Sequence, residues 1–178
     1  MSPYRSVRSI GQVVWIAISL AVGLSGLSRA ASGDCAQIDA KAAATILGVP
    51  AARANAAPTH SKLPPDNMDL LSCGYVEVTA DPAARTLSYL IYSPIARDLA
   101  GVYDSLASGN SPGKQVFSPD VGSQSSGWFR PSVRDDTFEG YIAVKTGATI
   151  AVIKIGGMPS SDAVKNALVS AGKILAKP

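Results

Sequence analysis

The sequence predicts an α+β fold: an antiparallel sheet of about five strands covered by helices, in the order α-β-β-α-β-β-β-α. Three observations predict it. Two segments, Ile95 to Leu106 and Val164 to Leu175, repeat apolar residues at helical spacing. Two runs rich in β-formers, Thr86 to Tyr92 and Ala148 to Ile155, are too short and too branched for helices. Turn residues, Asp81-Pro82 and Lys145-Thr146-Gly147, join neighbouring runs as antiparallel pairs require.

The first element is a helix over 39–47. Asp39 caps it, the three alanines 42–44 favour it, and Ile38, Ala42 and Ile46 fall four apart. Gly48 and Pro50 end it. Residues 49–66 contain four prolines and no apolar period, so they read as a long loop. Cys73 opens a strand in which Val76, Val78 and Ala80 share one face. Thr86 to Tyr92 pairs with it as a hairpin. Ser93 and Pro94 then start a helix whose stripe is Ile95, Leu99, Val102, Tyr103 and Leu106. A short strand falls at Lys114 to Phe117, before the polar Ser/Gly stretch 122–127. Thr137 to Val144 and Ala148 to Ile155 form the second hairpin, and the latter is the central strand. Ser160 or Ser161 caps the last helix, with Val164, Ala167, Leu168, Ala171, Ile174 and Leu175 on its core face.

Residues 1–30 read as a signal peptide and 31–178 as one domain. Arg5 and Arg8 precede the apolar run Val13 to Leu27, and Ser28-Arg29-Ala30 supplies small residues at a cleavage site. The alternative is a membrane anchor that retains residues 10–27, a stretch at the short limit for crossing a bilayer. Cleavage predicts a periplasmic or secreted protein. In an oxidising compartment Cys35 and Cys73, the only two cysteines, predict a disulfide.

Charge excludes one class of partner. The chain carries +3 overall, but Arg5, Arg8 and Arg29 account for all of it. The remaining 13 basic and 13 acidic residues cancel, whereas a nucleic-acid-binding domain needs a basic surplus. No sequence pattern calls for a cofactor, and the inventory of one histidine and two cysteines is poor in transition-metal ligands.

His60, in the Pro-rich segment, is the single histidine, and no G-x-S-x-G accompanies it. Asp135, Asp136 and Glu139 cluster before a strand and offer oxygen ligands or a carboxylate pair. Arg130 and Arg134 beside them offer plain ion pairs instead. Trp128, Phe129 and Arg130 form the most suggestive group. Neighbours on a strand face opposite ways, so one of the two aromatics stays outside the core. Aromatic residues with arginines are a common hot-spot composition, so Trp128, Phe129, Arg130 and Arg134 define a candidate contact surface.

The opening Cys35-Ala36-Gln37-Ile38-Asp39, the helix ending Ile46-Leu47-Gly48, and Cys73-Gly74-Tyr75 resemble those of small exported bacterial proteins of unknown function, the actinobacterial lipoproteins and proteobacterial periplasmic proteins. Val121-Gly122 before an aromatic strand, and a hairpin leading to a last helix, are similar too. The resemblance implies a sheet covered by helices, like the extrinsic P subunit of the photosystem oxygen-evolving complex. It implies no activity. Asp34 directly before Cys35 departs from the acylated members.

These readings favour an exported, non-catalytic binding or interaction protein of the bacterial cell envelope, with an unidentified protein or small molecule as partner. Membrane contact follows only if the N-terminal segment is kept. The competing reading is an envelope hydrolase using Asp135, Asp136 and Glu139.

Overall fold

The computed structural model describes residues 35–63, 68–93, 114–133, 136–147 and 149–177. The export segment 1–30, the helix expected after Ser93, and Arg134 and Asp135 lie outside the described residues.

Among the described residues eight strands form one antiparallel sheet: β1 (Ala52–Ala54), β2 (Thr59–Leu63), β3 (Met68–Glu77), β4 (Thr86–Ser93), β5 (Gln115–Phe117), β6 (Gln124–Pro131), β7 (Phe138–Thr146) and β8 (Thr149–Met158). Two helices, α1 (Ala40–Leu47) and α2 (Ser161–Leu175), are found among the described residues. The strand order is β1-β3-β4-β8-β7-β6-β5, with β2 also paired to β3. The expected α+β fold of about five strands is therefore corrected to a large, strand-dominated antiparallel sheet of eight strands, with two helices among the described residues.

The extra strands have physical reasons. β1 and β2 fall inside the segment read as a loop. They lie one after the other along the same edge of β3, Ala52–Ala54 against Tyr75–Glu77 and Thr59–Leu63 against Met68–Ser72. Their main chains satisfy the ladder while their side chains are mostly exposed, so hydrophobic pattern carries no signal there. β3 starts at Met68, five residues before Cys73, and ends at Glu77. Its core face is Cys73 and Tyr75, and Val78 lies beyond the strand and is 56% exposed. β6 runs through the polar stretch because Gly127 must be small. A Cβ there would sit 2.7 Å from the Phe117 ring and 2.8 Å from the Tyr141 carbonyl oxygen.

The helices form for the reasons legible in their sequences. Asp39 accepts from the Ala42 N–H at 2.7 Å at the start of α1. Gly48 closes it in the left-handed region at φ 64°, where a side chain would be strained. Ser160 accepts from the Ala163 N–H at 3.1 Å to start α2. Both helices pack on one face of the sheet. Ile38, Leu47, Val164 and Leu168 meet Leu87, Tyr89, Ile142, Val144, Ile153 and Ile155 in one buried core.

Cys35 and Cys73 form a disulfide with Cα atoms 6.0 Å apart. It ties the chain just before α1 to β3. The bond suggests an oxidising, extracytoplasmic environment. Two hydroxyls reinforce the tie. Tyr89 donates to the Cys35 carbonyl oxygen at 3.2 Å, and Tyr75 donates to that of Ile38. Burial raises the pKa of both phenols, and nearby Asp39 adds to the rise at Tyr75 and Tyr75 itself to that at Tyr89.

The sign of the resulting pH dependence follows. Unfolded tyrosines ionise near pH 10, whereas these two ionise only at higher pH when folded. Between the two values the unfolded state binds fewer protons, so stability falls as pH rises. Melting temperature is expected to hold up to roughly pH 9.5 and to fall above about pH 10. Tyr89→Phe should flatten that fall. An unchanged alkaline slope in Tyr89→Phe would show that other groups set it.

Candidate functional site

The sheet face opposite the helices carries a chemical pattern that the core face lacks. Strand alternation puts Phe129, Gly140, Ile142 and Ile153 toward the helices and Trp128, Tyr141 and Lys154 away from them. Register then aligns the second set. Trp128 on β6 is opposite Tyr141 on β7, and Tyr141 is opposite Lys154 on β8. The Trp128 and Tyr141 rings stack with centroids 4.6 Å apart and planes 29° from parallel.

Cations surround the stacked pair. Lys114 Nζ sits 4.2 Å from the Trp128 ring centroid, the Arg130 guanidinium carbon 5.7 Å from it, and Lys154 Nζ 5.4 Å from that of Tyr141. Of the described residues, one carboxylate lies among them. Glu139 Oε1 accepts from Arg130 Nε at 2.7 Å and pairs with Nη2 at 2.5 Å, while its Oε2 is 3.9 Å from Lys154 Nζ. Glu139 stands where the β7–β8 register shifts, between Phe138 and Gly140. Its side chain is only 19% exposed, so the ion pairs are partly shielded from water.

The expected residues separate. Phe129 is 5% exposed and belongs to the core, where it packs against Phe117 with centroids 6.1 Å apart and lies under Lys165. Trp128 is half-buried on the other face beside Arg130. Of the carboxylate group, Glu139 is held by two cations and Asp136 is exposed. His60 lies on β2, paired in register with Leu71. Among the described residues, no group of three or more His, Cys, Asp or Glu side chains is placed to hold a metal ion.

Sequence reasoning missed Lys114, Tyr141 and Lys154. Their faces were legible from alternation, since Tyr141 neighbours Ile142 and Lys154 neighbours Ile153 and Ile155. Their alignment with Trp128 was not, because cross-strand register depends on pairings that no local pattern states.

The arrangement holds ammonium and guanidinium groups over aromatic rings. The Trp128 ring is stacked on Tyr141 and also lies beneath the Lys114 ammonium, so the row offers positive charge beside rings rather than a bare stacking platform. Comparison of the chain with family models, with curated proteins and with solved structures finds no match.

Proposed function

We propose that this is a non-catalytic binding protein of the bacterial cell envelope. It is exported, periplasmic or secreted after loss of residues 1–30, and meets an anionic envelope polymer on the sheet face bearing Trp128. The observation that carries the reading is the row itself: Lys114, Arg130 and Lys154 are fixed around the Trp128–Tyr141 stack, with Glu139 the one carboxylate among the described residues joined to them. Cations pre-positioned by rings lose little side-chain freedom when they bind an anion. Strand spacing sets Lys114 and Lys154 roughly 14 Å apart across the sheet, a span that suits repeated charges better than a single small anion. The similarity of the opening segment to those of exported bacterial proteins of unknown function agrees with this setting and adds no activity.

The test uses labelled polygalacturonate as an anionic polymer and labelled dextran as its neutral counterpart, with binding read by fluorescence anisotropy. Polygalacturonate is expected to bind at low salt, to weaken as salt screens the charges, and to outcompete dextran. Lys114→Gln combined with Lys154→Gln should weaken it about tenfold, equivalent to about 1.4 kcal/mol, without lowering the melting temperature. Equal binding of the two polymers, or unaltered binding by the double variant, would refute the reading.

A further inference from the structure

A second site lies on the helix-bearing side of the sheet, away from the cation–aromatic row. A groove of about 510 Å³ runs between α1 and α2. Its volume falls within the range of small-molecule sites, about 300–1,000 Å³. Buried Leu47, Met158 and Ala167 line its deeper part, and exposed Thr45, Asn166 and Ser170 its rim. The groove stays open because the facing positions are small. α2 presents Ala163, Ala167 and Ser170, one helical turn apart, to Ala42 and Thr45 of α1.

One end is charged. Arg85 lines the groove where the end of α1 meets the start of α2. Its Nη1 donates to the carbonyl oxygens of Leu47 and Gly48 at 2.8 and 3.0 Å, and a Cβ on Gly157 would lie 3.0 Å from its Cα. Both side-chain hydrogen bonds leave from Nη1 and end on main-chain oxygens. No carboxylate among the described residues pairs with the guanidinium. Glu77 instead accepts from the Arg85 main-chain N–H at 3.1 Å. A guanidinium has five donors, so Nε and Nη2 keep the fork that grips a carboxylate. The first turn of α2, with its positive dipole end, lies at the same end of the groove. The acid of that turn, Asp162, is paired with Lys165 at 2.7 Å and does not line the groove.

We infer that this groove binds a free fatty-acid anion, its carboxylate on Arg85 and its chain between α1 and α2. The lining contains no acidic residue and ends on a cation whose guanidinium pairs with no carboxylate among the described residues, which disfavours cationic amphiphiles and selects a carboxylate head. Length selects the tail. From Ala163 to Ile174 the wall of α2 extends about 16 Å, the reach of about a dozen carbons at roughly 1.3 Å each.

Titration calorimetry and native mass spectrometry with dodecanoate test this, with dodecanol as the headless counterpart. Dodecanoate is expected to bind one to one and at least about tenfold more tightly than dodecanol. Arg85→Gln should reduce dodecanoate to the level of dodecanol. Because Arg85 also holds the end of α1, Ala163→Phe and Ser170→Phe provide separate tests that leave that contact alone. Each fills the groove and should abolish binding of both ligands while circular dichroism stays unchanged. Equal affinity for dodecanoate and dodecanol would overturn the carboxylate assignment. Binding that survives both groove-filling substitutions, or no binding by the unaltered protein, would overturn the site. None of these outcomes depends on the polymer-binding face.

Discussion

Replacing Cys35 and Cys73 with alanine is expected to lower stability by about 4 kcal/mol, the chain-entropy value for closing a loop of this length. The two residues are 38 apart in sequence, and the loop they close contains α1, β1 and β2. Cys73 is 4% exposed and packs in the core, so part of the cost is lost burial as well as lost constraint. The segment at Cys35 also loses the fixed position that lets Tyr75 and Tyr89 reach the Ile38 and Cys35 carbonyls. Urea unfolding of the double variant against the oxidised protein measures the difference. Hydrogen exchange should show α1 opening before the central strands β4, β8 and β7. A loss below about 1 kcal/mol would mean that the remaining contacts already hold the segment against β3.

Phe129→Ala and Trp128→Ala are expected to differ sharply although the residues are adjacent. Phe129 is almost fully buried between Phe117 and α2, and its removal should cost about 3–5 kcal/mol. Trp128 is half-buried on the opposite face, where its main loss is the stack on Tyr141, worth about 0.5–1.5 kcal/mol. Thermal melts separate the two. Trp128→Ala should stay folded and bind the anionic polymer poorly, because Lys114 and Arg130 lose the ring that positions them. Severe destabilisation by both substitutions would make Trp128 a structural residue and remove the polymer-binding reading.

Much of the fold was legible where one residue type decides a local outcome. Asp39 and Gly48 bracket α1, Ser160 starts α2, and Gly147 turns β7 into β8 with φ 50°. The apolar run near Ile153 marks a strand between two others, β4 and β7. The failures share a cause. β2, Thr-His-Ser-Lys-Leu, is held to β3 by main-chain bonds that its side chains do not advertise. Gly127 carries β6 through a polar stretch because its lack of a side chain, rather than any apolar group, admits Phe117. The candidate site was legible in part for the same reason. Alternation separated Trp128 from Phe129, which is buried while Trp128 is half-buried on the other face, but Tyr141 of β7 and Lys114 before β5, which meet Trp128, come from other segments. The groove was invisible, since its two walls are more than a hundred residues apart.

The placement of β1 and β2 along one edge of β3 has a consequence for the chain before its cysteines pair. Both strands lie within the stretch that the Cys35–Cys73 bond closes, and together they cover nearly the whole hydrogen-bonding edge of Met68–Glu77. Before oxidation these short segments can peel away independently, and the bared edge becomes a template on which a second molecule can add a strand. Once the bond forms, the covering strands cannot drift far from that edge. Oxidation thus acts as a solubility guard as well as a stabiliser, and the chain is most exposed to self-association while its two cysteines are still reduced.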